Sequence, residues 1–382
     1  MRVSSERILT THVGSLPRSQ AVTDVLFARE RGDISDARAA RAVISDAVAE
    51  VVRRQVDTGV DIVSDGETSK ISYATYIADR FAGFGGDTPR EPGQDLVEFP
   101  RFMAKLAASG ATAKYRRPRC VGEIALKDAG PLHEDLGNFR RAVDAAKPAE
   151  AFMNAASPGV LALFQPNDYY PTQDAYLEAL GRAMQSEYEA IVAAGFLLQV
   201  DAPDFGMGRH TMYRSASAEE YLKAAARHVE VLNHALRNLP ADRLRMHICW
   251  GNYEGPHHHD IPLEQLLPVV IRARPQALLF EASNPRHAHE WSVFKRQTVP
   301  DDKILVPGVL STTTNYVEHP ELVAERIQRF ADIVGRERVI AGTDCGFGTF
   351  GGFGPVDPDI VYLKLGSLAE GARIASRRLW RN

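Results

Sequence analysis

The sequence predicts an α/β fold, a single (β/α)8 barrel with an N-terminal extension and long insertions over the barrel mouth. Short apolar runs alternate with longer amphipathic segments along nearly the whole chain, the pattern of parallel strands joined by crossover helices. Eight such runs can be marked. The chain has 382 residues, a length that a barrel with insertions reaches as one unit, so residues 1–382 read as a single domain. A doubly wound open sheet is the alternative.

In chain order the expected strands are "VDIVSD" (60–65), "RCVGEI" (119–124), "AFMNAAS" (151–157), "FLLQVDA" (196–202), "LRMHICW" (244–250), "ALLFEAS" (277–283), "KILVPGV" (303–309) and "RVIAGTD" (338–344). Helical periodicity separates them, as at 44–59, 176–195 and 320–335, with terminal glycines suited to a left-handed cap. The segments 73–118 and 203–220 are too long for simple loops and are expected over the barrel mouth.

Composition narrows the function. The 45 basic and 49 acidic side chains leave a formal charge of −4, which gives no electrostatic footprint for nucleic acid. No apolar run reaches the length of a membrane helix, and the first residues lack the apolar stretch of a signal peptide, so a cytoplasmic protein is expected. The three cysteines, Cys120, Cys249 and Cys345, are an odd and widely spaced set that suits burial or metal binding rather than disulfides. Seven of the twelve histidines follow residue 240, which directs the search for a metal site to the C-terminal third.

A barrel carries its chemistry at the C-terminal ends of its strands. Asp65, Glu67, Asp201, Asp204, His247, Cys249, Glu281 and Cys345 all fall at such ends or just after them. In an extended strand residues i and i+2 share a face, so His247 and Cys249 project side by side. With Glu281 and Cys345 they make one imidazole, two thiols and one carboxylate, a tetrahedral zinc shell. A dipositive ion with two thiolates and a carboxylate has a net charge of about −1, which suits an electron-rich bound sulfur. If an incoming thiol replaces Glu281, the charge is unchanged and the sulfur is held as thiolate. Cys120 reads as a small buried hydrophobe. The run His257, His258, His259 reads as a solvated or substrate-gating loop, because consecutive residues cannot all face one point.

These motifs resemble the cobalamin-independent methionine synthases and their shorter relatives. The zinc half of that family has a His-x-Cys pair, a glutamate on the next strand and a cysteine in an Asp-Cys-Gly context, similar to "MHICWG", "LLFEAS" and "GTDCGFG" here. Further matches are "THVGSLPR" (11–18), "SDGE" (64–67) and "LQVDAPD" (198–204). The resemblance implies a zinc-dependent transfer of a methyl group to a thiol, most simply homocysteine. It implies a backbone site for the substrate carboxylate at Gly14 and Ser15, contacts from Ser15, Glu67 and Asp201 to the polar end of the thiol, and Glu281 and Asp201 as the catalytic carboxylates.

Two departures bear on the substrate. The family histidine after the seventh strand has no counterpart in "PGVLSTTTNYVEHPE", where His319 comes several residues too late, and the second barrel of full-length enzymes is missing. The stretches 247–262 and 281–291 look more like the short branch that includes epoxyalkane:coenzyme M transferase, in which Arg286 and His287 would hold an anionic group or alkoxide. Thiol addition to an epoxide is therefore the alternative function, and a metal-independent, uroporphyrinogen decarboxylase-like barrel is the alternative of another class. The expected partners are a small-molecule thiol and an alkyl donor. Homo-oligomer formation stays open.

Overall fold

The computed structural model describes residues 1–89, 91–108 and 115–380. Its strands are β1 (Leu9–Thr10), β2 (Ile62–Val63), β3 (Phe81–Gly85), β4 (Arg119–Leu126), β5 (Glu150–Ala156), β6 (Leu197–Asp201), β7 (Leu244–His247), β8 (Ala277–Phe280), β9 (Ile304–Pro307) and β10 (Ile340–Ala341). The result is an α/β fold around a curled parallel sheet, ordered β2-β5-β6-β7-β8-β9, beside a parallel pair β1-β10. Single bridges join that pair to both edges of the larger sheet, Thr11 to Ile62 on one side and Leu305 to Val339 and Gly308 to Gly342 on the other.

One expected strand is misplaced. The run at 119–124 becomes β4, which pairs antiparallel with β3 outside the parallel sheet. Its residues alternate between shielded and exposed, as a ribbon with one wet face requires. Without it β2 pairs directly with β5, and the eighth parallel strand is β1, between β2 and β10; it is two residues long and sits in the polar stretch "ILTTH", where no apolar run marks it. The segment 11–18 thus leaves a sheet strand directly. Of the expected 73–118 insertion, residues 90 and 109–114 lie outside the described residues.

Alternation along the strands decides which side chains face the axis. Leu9, Ile62, Phe152, Leu197, Ala277, Leu279, Ile304, Val306 and Ile340 form a small buried cluster inside the curl. Their neighbours Met153, Leu198, Met246, Leu278, Phe280 and Leu305 belong to the larger cluster under the helices. Period-2 alternation therefore aims Asn154, Gln199, Asp201, Arg245, His247 and Glu281 at the axis. Above the apolar layer, Arg245 lies across the Phe152 ring, 3.9 Å from its centroid, and donates to Thr11 Oγ1 and the His12 carbonyl. Arg245 is the floor of the polar chamber.

The helices follow local signals. Helix Gln173–Ala193 starts on the Thr172 hydroxyl, which accepts from the Ala175 N–H, and the chain leaves it through Gly195 at φ +87°. Helix Pro320–Val334 is capped by His319, whose Nδ1 accepts from the Glu321 N–H. That accounts for His319 as a capping residue. No helix among the described residues is long and apolar enough to cross a membrane.

Candidate metal centre and substrate cavity

His247 ends β7 in register with Asp201 at the end of β6, and Cys249 follows two residues on. Cys345 arrives just past β10. Their ligand atoms lie within 4.8 Å of one another, and all three residues are buried. The two sulfurs stand 3.7 Å apart as free thiols. Asp201 Oδ1 is 3.3 Å from His247 Nδ1, which fixes the ring and leaves Nε2 buried with no hydrogen bond. A buried ring nitrogen without a partner is costly, and a metal ion satisfies it. One imidazole and two thiols fit zinc chemistry.

The electrostatics agree with a site built for positive charge. The Cys345 thiol is drawn down to about 6 by its hydrogen bond with Cys249, against burial and with help from His247. Burial opposes a charged His247, yet Asp201 and Cys345 hold it up at about 10. Cys249 is pushed well above the ordinary thiol value by sharing its proton with Cys345 and by burial.

Glu281 lies next to this group and outside it. Its Oε1 accepts from the Trp250 N–H at 2.8 Å and its Oε2 from Asn284 Nδ2 at 2.6 Å. The turn that carries it is fixed by Asp344, whose carboxylate accepts from the N–H groups of Ala282, Ser283 and Asn284 and from the Ser283 hydroxyl. Burial raises the Glu281 carboxyl above its ordinary value.

The segment 11–18 reaches the same chamber. Ser15 accepts at its carbonyl from the Phe347 N–H at 2.8 Å, two residues beyond Cys345. Arg18 donates to the carbonyls of Gly348 and Glu67, clamping both to the segment. Gly14 differs from expectation: its N–H donates to His12 Nδ1 at 3.1 Å, so it is already used within the turn. Glu67 sits at φ +53°, a left-handed conformation that a non-glycine residue holds only when its surroundings enforce it. Its Oε2 is buried without a hydrogen bond, and burial, then the charge of Asp201, pushes its carboxyl up to about 8. Asp201 in turn accepts from Asn154 Nδ2 at 2.8 Å.

A cavity of about 600 Å³ joins these groups, lined by Ser15, Glu67, Asp201, His247, Cys249 and Cys345. Its outer walls are apolar, with Tyr73, Leu96, Met103, Phe164, Met207 and Phe350. The expected insertions supply much of that wall.

Other expected residues are placed elsewhere. Arg286 is exposed and outside the cavity lining. His287 is buried with both ring nitrogens engaged, Nδ1 by Glu290 and Nε2 by Asp260, and its ring lies on Trp250. Asp204 turns to Ser157 and His228. Cys120 is buried in β4, apart from the metal group. Asn154, Gln199 and Asp344 were missed as positioning residues. For the two amides the signal was available, since each shares the strand face of Asp201 or its neighbour.

The family model described as "Cobalamin-independent synthase, Catalytic domain" matches residues 8–91 and 162–352, which include the 11–18 segment, Glu67, Asp201 and the whole metal group. A methionine synthase of Saccharolobus solfataricus is 26% identical over 377 residues, covering 97% of this chain and 96% of that protein. One from Sulfurisphaera tokodaii is 23% identical over 371 residues, covering 97% and 93%. Among solved structures, a B12-independent methionine synthase from Shewanella sp. W3-18-1, in complex with selenomethionine, superposes with a TM-score of 0.75 at 17% identity, covering 98% of this chain and 99% of that one. With more than half its length matched, the chain belongs to the cobalamin-independent methionine synthase family and is a methionine synthase-like methyltransferase.

Proposed function

We propose that residues 1–382 form one (β/α)8 domain that transfers a methyl group to the sulfur of homocysteine, with zinc held by His247, Cys249, Cys345 and, in the resting state, Glu281. One observation carries the reading: a thiol-compatible metal group and the polar residues Ser15, Glu67 and Asp201 line the same cavity. Zinc bound there supplies the positive charge that keeps a thiol ionised at neutral pH.

Each of the chain's own residues then has a task. Ser15 holds the substrate carboxylate, while Glu67 and Asp201 receive the ammonium group. Asp201 also orients His247 by accepting from Nδ1–H, so that Nε2 is free to ligate. Glu281 is the exchangeable ligand. Its oxygens have partners in Trp250 and Asn284, so the carboxylate has a bonded place to rest when it yields to the thiol. The apolar outer walls exclude water from the sulfur, which favours alkylation over hydrolysis of the donor.

The epoxide-opening alternative has less support, because Arg286 is exposed and His287 has no free ring nitrogen to hold an alkoxide. A thiol panel tests the choice. Homocysteine should bind the zinc-loaded protein, with coenzyme M and glutathione at least about tenfold weaker, since neither matches both ends of the site. Preferential binding of coenzyme M would reverse the assignment.

A further inference from the structure

The three consecutive histidines are divided in use. His257 is buried at φ +53°, with Nδ1 on Asp260 at 2.9 Å. His258 and His259 both turn outward to the same carboxylate: His258 Nε2 is 2.8 Å from Glu98 Oε2, and His259 Nε2 is 2.5 Å from Glu98 Oε1. Two adjacent residues therefore do converge on one point. Their rings lie 4.2 Å apart, and the Phe99 ring packs edge-on against His258.

Glu98 belongs to the strap of residues 91–108, which contributes Leu96, Met103, Leu106 and Ala107 to the cavity wall. The strap is also held at an inner point, where Asp95 accepts from the Tyr253 hydroxyl and the His257 N–H. Glu98 lies between the two stretches matched by the family model, while His258 and His259 lie within the second.

Two neighbouring imidazoles sharing one carboxylate make a weak clasp by charge alone. If both are protonated they repel, and exposed ion pairs contribute little. A divalent cation removes the conflict. Two Nε2 atoms and a carboxylate oxygen, all within 4.8 Å of one another, are the protein ligands of an open zinc-type site, and partial exposure leaves room for water. We propose that Glu98, His258 and His259 form a second divalent-metal site that fastens the strap over the cavity.

Cobalt(II) titrated into the metal-free full-length protein distinguishes the two sites. The Cys249 and Cys345 site gives thiolate-to-metal charge-transfer absorption, whereas the clasp gives ligand-field absorption alone. The expected result is two bound equivalents, with Glu98→Gln and the double variant His258→Ala/His259→Ala each weakening the second at least about tenfold. The charge-transfer band should persist in both variants, which shows that they fold. Backbone amides of residues 94–108 should exchange more slowly once the second equivalent is bound. Binding of only one equivalent, a second equivalent undiminished in the variants, or unchanged exchange in the strap would each overturn the proposal.

Discussion

Gly346 packs so closely against Ser15 that a β-carbon on it would stand 2.0 Å from the serine Oγ. The residue after a metal-group thiol and the serine of "THVGSLPR" therefore share a wall, which couples the metal group to the segment proposed to hold the substrate carboxylate. Replacing Gly346 forces one of them to move.

Gly346→Ala is accordingly expected to displace Ser15 and to weaken binding of a thiol amino acid by at least about tenfold, as a misplacement of about 1 Å commonly does. Calorimetry with homocysteine checks this. Affinity unchanged from wild type would mean that Ser15 takes no part in binding.

Metal content separates the ligands from their neighbours. Cys345→Ser and His247→Ala should each lose about one zinc per chain relative to wild type by elemental analysis, whereas Cys120→Ser should keep the wild-type content. Asp201→Asn should lower zinc affinity by about 10–100-fold, because the amide no longer fixes the His247 ring as a carboxylate does. Glu281→Gln should keep most of the metal, since the other three ligands remain. Full zinc in Cys345→Ser would remove that residue from the ligand set.

Glu67 makes stability depend on pH in a defined direction. The unfolded chain sheds this proton near the ordinary value of 4.5, while the folded protein keeps it to about 8. Between those values the folded state binds the extra proton, so the residue's contribution to stability falls as pH rises. Denaturant midpoints of the metal-free protein should therefore decline across that window more steeply in wild type than in Glu67→Gln. Parallel pH profiles would show that Glu67 is not buried as a neutral acid.

Much of this was legible because it depends on local pattern. The alternation of apolar runs predicts the parallel α/β architecture, and the i, i+2 spacing of His247 and Cys249 predicts that they share a face. What escaped depends on contacts between distant segments. β1 is two residues long and is defined by its partners, while β4 has the apolar content of a barrel strand but lies with one face in solvent. The Gly14 N–H was assigned to an anion, yet the His12 ring two residues before it turns back and takes that bond. His258 and His259 converge because Glu98, about 160 positions earlier, stands between their Nε2 atoms. Spacing alone cannot report such a partner.

The central claim is that the cavity binds an amino-acid thiol as its thiolate on a metal held by His247, Cys249 and Cys345. Calorimetric titration of homocysteine into the zinc-loaded protein, repeated in buffers of different ionisation enthalpy, measures this most directly. The account predicts binding with release of about one proton per homocysteine, somewhat less if the departing Glu281 carboxylate takes one up, and no such release with methionine, which has no thiol. Homocysteine binding with no proton release, or equally tight binding to the zinc-free protein, would contradict it.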